Sequence, residues 1–580
     1  VNLGIVKHLA PAFADNGPSQ WEIKARPDVM MRLKKALPKV EVRRAGSVLL
    51  SDTPENAREI TWILERWDLE LTDADRGYLE RRTTEHFDHK AAVTRILSGE
   101  RESDDWQEPA DHVDEYQYQA AELAMKTGGL IVTDELAMGK TYTSLLMLRN
   151  PEALPALIVV QSHLTRQWQK QLEELLPWLR SHIIRTGAVY DPSKKRGMHG
   201  YHPDVLISTY MKLAGWADHL AGEVKTVIFD ECQELRRAEA AKTTAAGQIT
   251  DGAKFCMGLS GTPVFNFGGE AYNILDVIRP GCLGEREEFA REWGVSSGDK
   301  IDTKFEGGHL KVRARELGTY LHEEGLLLHR TWEEVGRERP EQALKIPHTI
   351  EAETDLIEEA TSDAKALAEL ILSKATTQQE VFAAERDLDN KIRQATGVAK
   401  APYVADFVRM LLEGEEKVVV WAWHRAVYAI LNAALEEFKP IMYTGSESDV
   451  AKRRAEEVFI KGDARVLLMS LRSGAGLDGL QEACNTGVFA ELDWAPPIHD
   501  QCLGRLPRPG QKKPVVGYYL LTESGSDPGL VELLDVKRMQ SEPIRNPKAE
   551  LFEPTAQDPS DRIKQLAESV LERRAVEVAA

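Results

Sequence analysis

Two hydrophobic patterns alternate along most of this chain. Short segments built on apolar runs, ALIVVQ at 156–161, VLIST at 205–209, TVIFDE at 226–231 and KFCMGLSGTP at 254–263, are separated by stretches whose apolar residues recur every three or four positions. The first pattern predicts strands buried on both faces and the second predicts the helices that cover them, which together specify an α/β fold with parallel sheets. The alternation returns in VVVWA at 418–422, IMY at 441–443, RVLLMS at 465–470 and TGVFAE at 486–491. The chain is therefore expected to form two such lobes in tandem.

The flanking segments break this rhythm. Residues 1–110 read as a small N-terminal accessory domain with a basic stretch at 21–44. Within it, PENAREITWILERW at 54–67 predicts a helix, with Asp52 or Thr53 as cap, Pro54 in the first turn and Ile60, Ile63, Leu64 and Trp67 on one face. An acidic, loop-like stretch at 99–115 marks its end. The first lobe is expected over 111–345, including REEFAREW at 286–293 and GLLLHRTWEEV at 325–335, and the second over 401–545. Between them, 346–400 reads as a helical linker or protrusion. Residues 351–390 hold no Gly or Pro, are acidic, and place Ala360, Ala364, Leu367 and Ile371 on one face, so they predict helices with a solvated or partner-binding acidic surface. Residues 546–580 form a Pro- and charge-rich tail with a last amphipathic run.

The chemistry centres on LIVTDELAMGKTYTSLL at 130–146. An apolar strand at 130–132 leads through Gly139, Lys140 and Thr141 into a helix carrying Tyr142, Leu145 and Leu146. A loop that opens a helix points unpaired N–H groups at a phosphate; glycine allows close approach, lysine reaches the β/γ-phosphates and the threonine hydroxyl suits Mg²⁺. The strict GxxxxGK[ST] pattern is not met, because Asp134 stands at its first glycine. Asp230 and Glu231 end the 226–229 apolar run, which puts both carboxylates at the sheet edge where open α/β folds bind ligands. One can hold Mg²⁺ through water while the other orients or deprotonates an attacking water. In HDQCLGRLPRPGQ at 499–511, Arg505 and Arg508 offer planar, permanently charged forks for phosphate oxygens.

As an ordered set, TDELAMGKT at 133–141, DECQ at 230–233, LSGTPVFN at 259–266, SGAGLDG at 473–479 and QCLGRLPRPGQ at 501–511 resemble the motifs of the SWI/SNF-like ATPases of helicase superfamily 2. Gln501, Gly504, Arg505, Arg508, Gly510 and Gln511 match the family's QxxGRxxRxGQ, while Ala137, Cys232, Gln233 and Pro507 depart from its usual residues. The resemblance covers 111–545 and implies two RecA-like lobes with ATP and Mg²⁺ between them. It implies catalytic roles for Lys140, Thr141, Asp230, Glu231, Arg505 and Arg508, with Thr141 and Asp230 at the metal. It further implies nucleotide contacts from Asp134, Met138, Gly139, Gly476, Asp478 and Gln501, with Gln119 reading the adenine. Such motors typically move on duplex DNA, and on this resemblance the track contacts are Ser162, His163, Ser208, Thr209, Thr444 and Gly445, with little sequence specificity. The N-terminal region loosely resembles the small modules that precede the motor in annealing-helicase (HepA-related) proteins.

Composition adjusts this picture. A formal net charge of −20 is unusual for a nucleic-acid binder and requires any basic track to be local. It keeps open, together with the acidic helices at 351–390, an ATPase that remodels a protein or polymerase complex, and the motif departures keep open a catalytically silent scaffold. Five scattered cysteines without CxxC spacing argue against a disulfide framework and a zinc site. No window approaches 18 uncharged apolar residues and no basic-then-apolar leader is visible, so no membrane partner is expected and the location expected is cytoplasmic, the host's for a phage-encoded chain.

Overall fold

The computed structural model describes residues 2–10, 19–37, 39–40, 46–100, 113–194, 200–264, 268–295, 310–338, 343–363, 378–472, 479–493, 495–508, 510–528, 530–531 and 542–548. They fall into two compact units, one drawn from Val1–Val335 with Gln540–Glu550 and one from Gly336–Met539.

The first unit opens with a four-stranded sheet made of β1 (Gly4–Leu9), β2 (Gln20–Ala25), β3 (Ser47–Ser51) and β4 (Leu69–Glu70), in the order β3-β2-β1-β4. Its core gathers Val6, Trp21, Ile23, Leu33, Leu50 and Ile60. The helix Pro54–Arg66 starts where its pattern predicts, and Thr53 is the cap, accepting from the Asn56 N–H. Asp52 has a different task. It is buried and accepts from Ser19, Tyr78, Trp21 and Arg82 while also facing His8, so one carboxylate satisfies five side chains of this sheet and its helices. The domain is bolted to the rest of the unit by Glu288, which accepts from the Ser51 N–H and hydroxyl at 3.0 and 2.8 Å.

A seven-stranded, wholly parallel sheet follows: β5 (Gly129–Val132), β6 (Ala156–Val160), β7 (Ser181–Ile183), β8 (Val205–Thr209), β9 (Thr226–Asp230), β10 (Phe255–Leu259) and β11 (Leu327–Leu328), ordered β11-β5-β10-β9-β6-β8-β7. Successive residues point to opposite faces. Ile131, Leu157 and Val159 therefore enter one core, with Trp216, Phe229 and Phe289, and Leu130, Val132, Ile158 and Val160 enter the other, with Trp168 and Leu172. Both faces are covered by helices, as the unbroken apolar runs require.

The second unit is built on a six-stranded parallel sheet of β12 (Leu344–Thr349), β13 (Val418–Ala422), β14 (Ile441–Tyr443), β15 (Val466–Ser470), β16 (Thr486–Phe489) and β17 (Val516–Leu521), in the order β12-β17-β16-β13-β15-β14. Three expected boundaries move. Residues 344–349 are not the end of the first lobe and the start of a linker, but an edge strand of the second sheet. Their mostly exposed, polar LKIPHT sequence hides the strand, because an edge needs no apolar alternation. The helix Gln378–Gly414 runs through the expected break at 400, and its Val404, Ala405 and Val408 pack into the second unit's core. Residues 542–548 return to the first unit instead of ending the second. Ala364, Leu367 and Ile371 of the acidic helices, most of the 99–115 stretch and the tail beyond 548 lie outside the described residues.

Candidate active site

The parallel topology delivers the candidate residues of the first unit to one sheet edge. β10 lies between β5 and β9, with Leu259 level with Val132 on one side and Asp230 on the other. The GKT loop after β5, the carboxylates ending β9 and the Ser260–Gly261–Thr262 turn after β10 thus emerge side by side.

The GKT loop is framed from behind by residues after β11. Asp134, wholly buried, accepts from Arg330 Nε at 3.1 Å, Nη2 at 2.5 Å and the Arg330 backbone N–H at 3.0 Å. Arg330 also donates to the Tyr116 carbonyl. The Glu135 N–H bonds the Arg330 carbonyl at 3.1 Å, its carboxylate accepts from the Trp332 N–H at 3.1 Å, and His329 Nδ1 donates to the Thr133 carbonyl at 2.7 Å. Burial, with the Arg545 guanidinium adding to it, pushes His329 down to about 4, so the ring is neutral near pH 7. Tyr116, which packs in one cluster with Met138 and Trp332, donates its hydroxyl to the Met138 carbonyl at 2.7 Å.

Inside this frame Gly139 and Ala137 both take left-handed backbone, with φ of 73° and 65°. Ala137 therefore holds a conformation that glycine adopts more readily, at the position where the sequence departs from the family pattern. Lys140 Nζ donates to the loop's own carbonyls, Asp134 O at 2.6 Å and Glu135 O at 3.0 Å. Burial, helped by Arg545, lowers its proton affinity against the pull of Asp134, Glu231 and Asp230. A half-buried ammonium whose acceptors among the described residues are its own loop's carbonyls is matched to incoming phosphate oxygens.

At the end of β9, burial and the adjacent Glu231 carboxylate push Asp230 up to about 7, against the Trp168 Nε1–H donated at 3.1 Å. Glu231, like Ala137, is a non-glycine residue of left-handed backbone, φ 52°, and accepts from Gln233. The Tyr210 hydroxyl donates to the Asp230 carbonyl at 2.7 Å, fixing the strand end. Thr141, half-buried, and Asp230 offer hydroxyl and carboxylate oxygens of the kind Mg²⁺ takes. Among the described residues no group of three or more His, Cys, Asp or Glu could hold a metal, so a cation bound here draws its remaining oxygens from phosphate and water.

In the second unit the helix Pro496–Leu503 carries Gln501, half-buried, and leads through Gly504 to Arg505, buried, and Arg508, half-buried. Gln511 secures the turn, donating to the Cys484 carbonyl at 2.9 Å and accepting from the Lys512 and Lys513 N–H groups. Gly476, Asp478 and Asn266 lie outside the described residues.

Several expected roles do not fit this geometry. Gln119 bonds the Ile96 carbonyl at 2.8 Å and the Leu97 carbonyl at 3.3 Å, and it is Gln117 that reaches the Gly139 carbonyl, at 3.1 Å. Two residues apart on the helix Glu115–Thr127, the two side chains point about 200° apart, so only one can face the loop. Asp134, expected to contact the nucleotide, is wholly buried and its carboxylate is engaged by Arg330 through three bonds. Among the track residues Ser162 and Gly445 are exposed and His163 is half-buried, whereas Ser208, Thr209 and Thr444 are buried, with Thr444 bonded to Glu447. Ser208 is fully buried because it is the penultimate residue of β8, an interior strand covered on both faces. Sequence reasoning missed Gln117, Arg330, His329, Trp168 and Arg545. For Gln117 the YQYQ repeat was the available signal, and for Arg330 the arginine directly after the LLLH run was.

With this geometry in hand, comparison with known proteins gives its ancestry. A sequence profile of the SNF2-related domain matches residues 26–349. A Drosophila melanogaster protein, SWI/SNF-related matrix-associated actin-dependent regulator of chromatin subfamily A-like protein 1, is 25% identical over 71% of this chain and 53% of its own length. The Bacillus subtilis uncharacterized ATP-dependent helicase YqhH is 24% identical over 70% of this chain and 74% of its own. Mouse DNA annealing helicase and endonuclease ZRANB3 is 25% identical over 77% of this chain and 43% of its own. The chain thus spans about half the length of the fly and mouse relatives. The profile match takes in the N-terminal sheet from the end of β2 onward and the whole seven-stranded sheet, and on it the chain belongs to the SNF2-related domain family, within the ATPases of helicase superfamily 2.

Proposed function

We propose that this chain is an ATP-hydrolysing motor that moves on duplex DNA. The observation that carries the reading is the convergence, at one edge of the seven-stranded sheet, of the Lys140 loop, the Asp230–Glu231 pair and the Ser260–Thr262 turn. Lys140 exchanges its two carbonyl acceptors for β- and γ-phosphate oxygens, and Gly139 lets the backbone N–H groups approach them. Thr141 and Asp230 hold Mg²⁺, which when bound offsets phosphate charge. Glu231 orients the attacking water and accepts its proton. In the second unit Arg505 and Arg508 supply the charge that stabilises phosphoryl transfer, as the family resemblance implies. Gln117 takes over at the loop the position expected of Gln119.

DNA as the track rests on the family resemblance and on the name of the mouse relative. Ser162, His163 and Gly445 are the accessible members of the proposed track. The net charge of −20 favours a second reading, in which a protein complex is the object moved. Steady-state ATP hydrolysis, measured alone and with single-stranded DNA, duplex DNA or RNA, separates the two, with Lys140→Ala as blank. Duplex stimulation that falls steeply with salt is expected. Turnover indifferent to every nucleic acid would move the assignment to a protein partner, and full turnover in Lys140→Ala would remove the mechanism.

A further inference from the structure

We propose that Arg545, on a segment more than 280 residues beyond the β10 turn, is a further phosphate-binding residue of the first unit, so that docking of residues 542–548 and binding of a nucleoside triphosphate reinforce each other. The inference rests on the nucleotide reading above and adds to it a residue outside every motif of the chain.

The segment is seated, not draped. Ile544 is fully buried in the core that contains Leu317 and Leu321. Gly318 lacks the room for a side chain, since a Cβ there would lie 2.3 Å from the Pro543 carbonyl oxygen. His322 Nε2 donates to the Arg545 carbonyl at 2.9 Å. These contacts direct the Arg545 side chain toward the turn after β10, where Nη1 donates to the Gly261 carbonyl at 3.0 Å, while Nη2 bonds Glu542 at 2.6 Å.

That turn touches the phosphate loop. The Ser260 N–H bonds the Val132 carbonyl at 3.1 Å, and a Cβ placed on Gly261 would lie 3.5 Å from Leu136 Cδ2. Arg545 Nε and the hydroxyl of Thr262, the residue after Gly261, are both buried without an acceptor among the described residues. A buried donor left unpaired costs about 1–3 kcal/mol, so such atoms mark a place where a ligand's oxygens belong. The ligand that fits is an anion, because the donors left open belong to a guanidinium and a hydroxyl at the turn beside the Lys140 loop, and Arg545 is near enough to Lys140 to lower its proton affinity. A terminal phosphate supplies acceptors to Arg545 and Thr262 and relieves the repulsion. By linkage, whatever Arg545 adds to triphosphate affinity the triphosphate adds to the docking of the segment.

The full chain with Mg²⁺ tests this by competition of ATP, ADP and adenosine against a fluorescent ATP analogue, in wild type, Arg545→Ala and Arg545→Lys. The expected result is a loss of ATP affinity of about tenfold or more in Arg545→Ala, a smaller loss for ADP, none for adenosine, and partial recovery in Arg545→Lys. Hydrogen exchange at residues 542–548 of the wild type should slow with ATP and stay unchanged with adenosine. Wild-type ATP affinity in Arg545→Ala, or equal losses for ATP and adenosine, would overturn the inference and leave Arg545 as a tether. A wild type that binds no ATP would overturn the nucleotide reading together with it.

Discussion

Removing the guanidinium that holds Asp134 isolates the frame of the phosphate loop. In Arg330→Met a wholly buried carboxylate keeps one partner, the backbone N–H of residue 330, and loses the Nε and Nη2 bonds at 3.1 and 2.5 Å. Breaking a buried ion pair from one side costs about 3–5 kcal/mol, since the remaining charge is left uncompensated. Taking about 3 kcal/mol per molar for the slope, the urea midpoint of the first unit should fall by about 1–1.7 M. Adding Asp134→Asn should recover most of the loss. The amide oxygen still accepts from the backbone N–H of residue 330, the amide nitrogen can donate to the Tyr116 carbonyl that Arg330 vacates, and no buried charge remains. Urea unfolding followed by tryptophan fluorescence, with nucleotide binding measured on the same samples, completes the test. Costs that simply add would refute the pairing argument. A double variant of near wild-type stability that loses most of its ATP affinity would refute the structural role and return Asp134 to the nucleotide.

Three further outcomes follow from the same loop. Ala137→Gly relieves left-handed strain of about 1–2 kcal/mol against about 0.4–1 kcal/mol of added chain entropy, so the variant should be more stable by about 0.5–1 kcal/mol in the same unfolding assay; a less stable variant would show that the φ of 65° carries no strain. Gln117→Ala should raise the ATP dissociation constant several-fold through the loosened Gly139 carbonyl, while Gln119→Ala stays within about twofold, and the reverse order would restore Gln119 to the base. His329 is neutral in the fold down to about pH 4 but takes a proton near 6.5 when unfolded. The unfolded state therefore binds more protons between these values, and stability is full above pH 6.5 and lost as pH falls toward 4. His86, His89 and His322, also held low chiefly by burial, act in the same direction. His329→Gln should flatten the pH dependence by about 3 kcal/mol at most, and an unchanged slope would assign the effect to the other three.

The legible parts of this fold are those whose cause is local. β5, β6, β8, β9 and β10 announce themselves because strands covered on both faces must be apolar throughout, and a parallel sheet then fixes that Lys140, Asp230 and Ser260 share an edge. β12 stayed hidden because an edge strand is free to be polar, and Leu344 and Lys345 are exposed. Spacing from the GKT triplet points to Gln119 and not to Gln117, because spacing cannot tell which side of a helix faces the loop. Asp134 was read as a ligand because its partner lies 196 residues away.

These misses share one physical origin, and it bears on how the site works. The segments that hold the phosphate loop in place, 329–335 and 542–548, bear no phosphate-binding motif, yet they supply Arg330 to Asp134, Trp332 to Glu135, His329 to Thr133 and Arg545 to Gly261. Each bond is made to the loop or to the turn beside it. A loop with two left-handed residues and a half-buried ammonium would not hold its shape from local preferences alone. Its geometry is imposed from outside, by charges and carbonyls the chain brings back after nearly 200 and then about 400 residues. Motif residues can therefore be retained while the site fails, if either returning segment is disturbed, and variants at Arg330 or Arg545 should damage nucleotide binding with every motif intact.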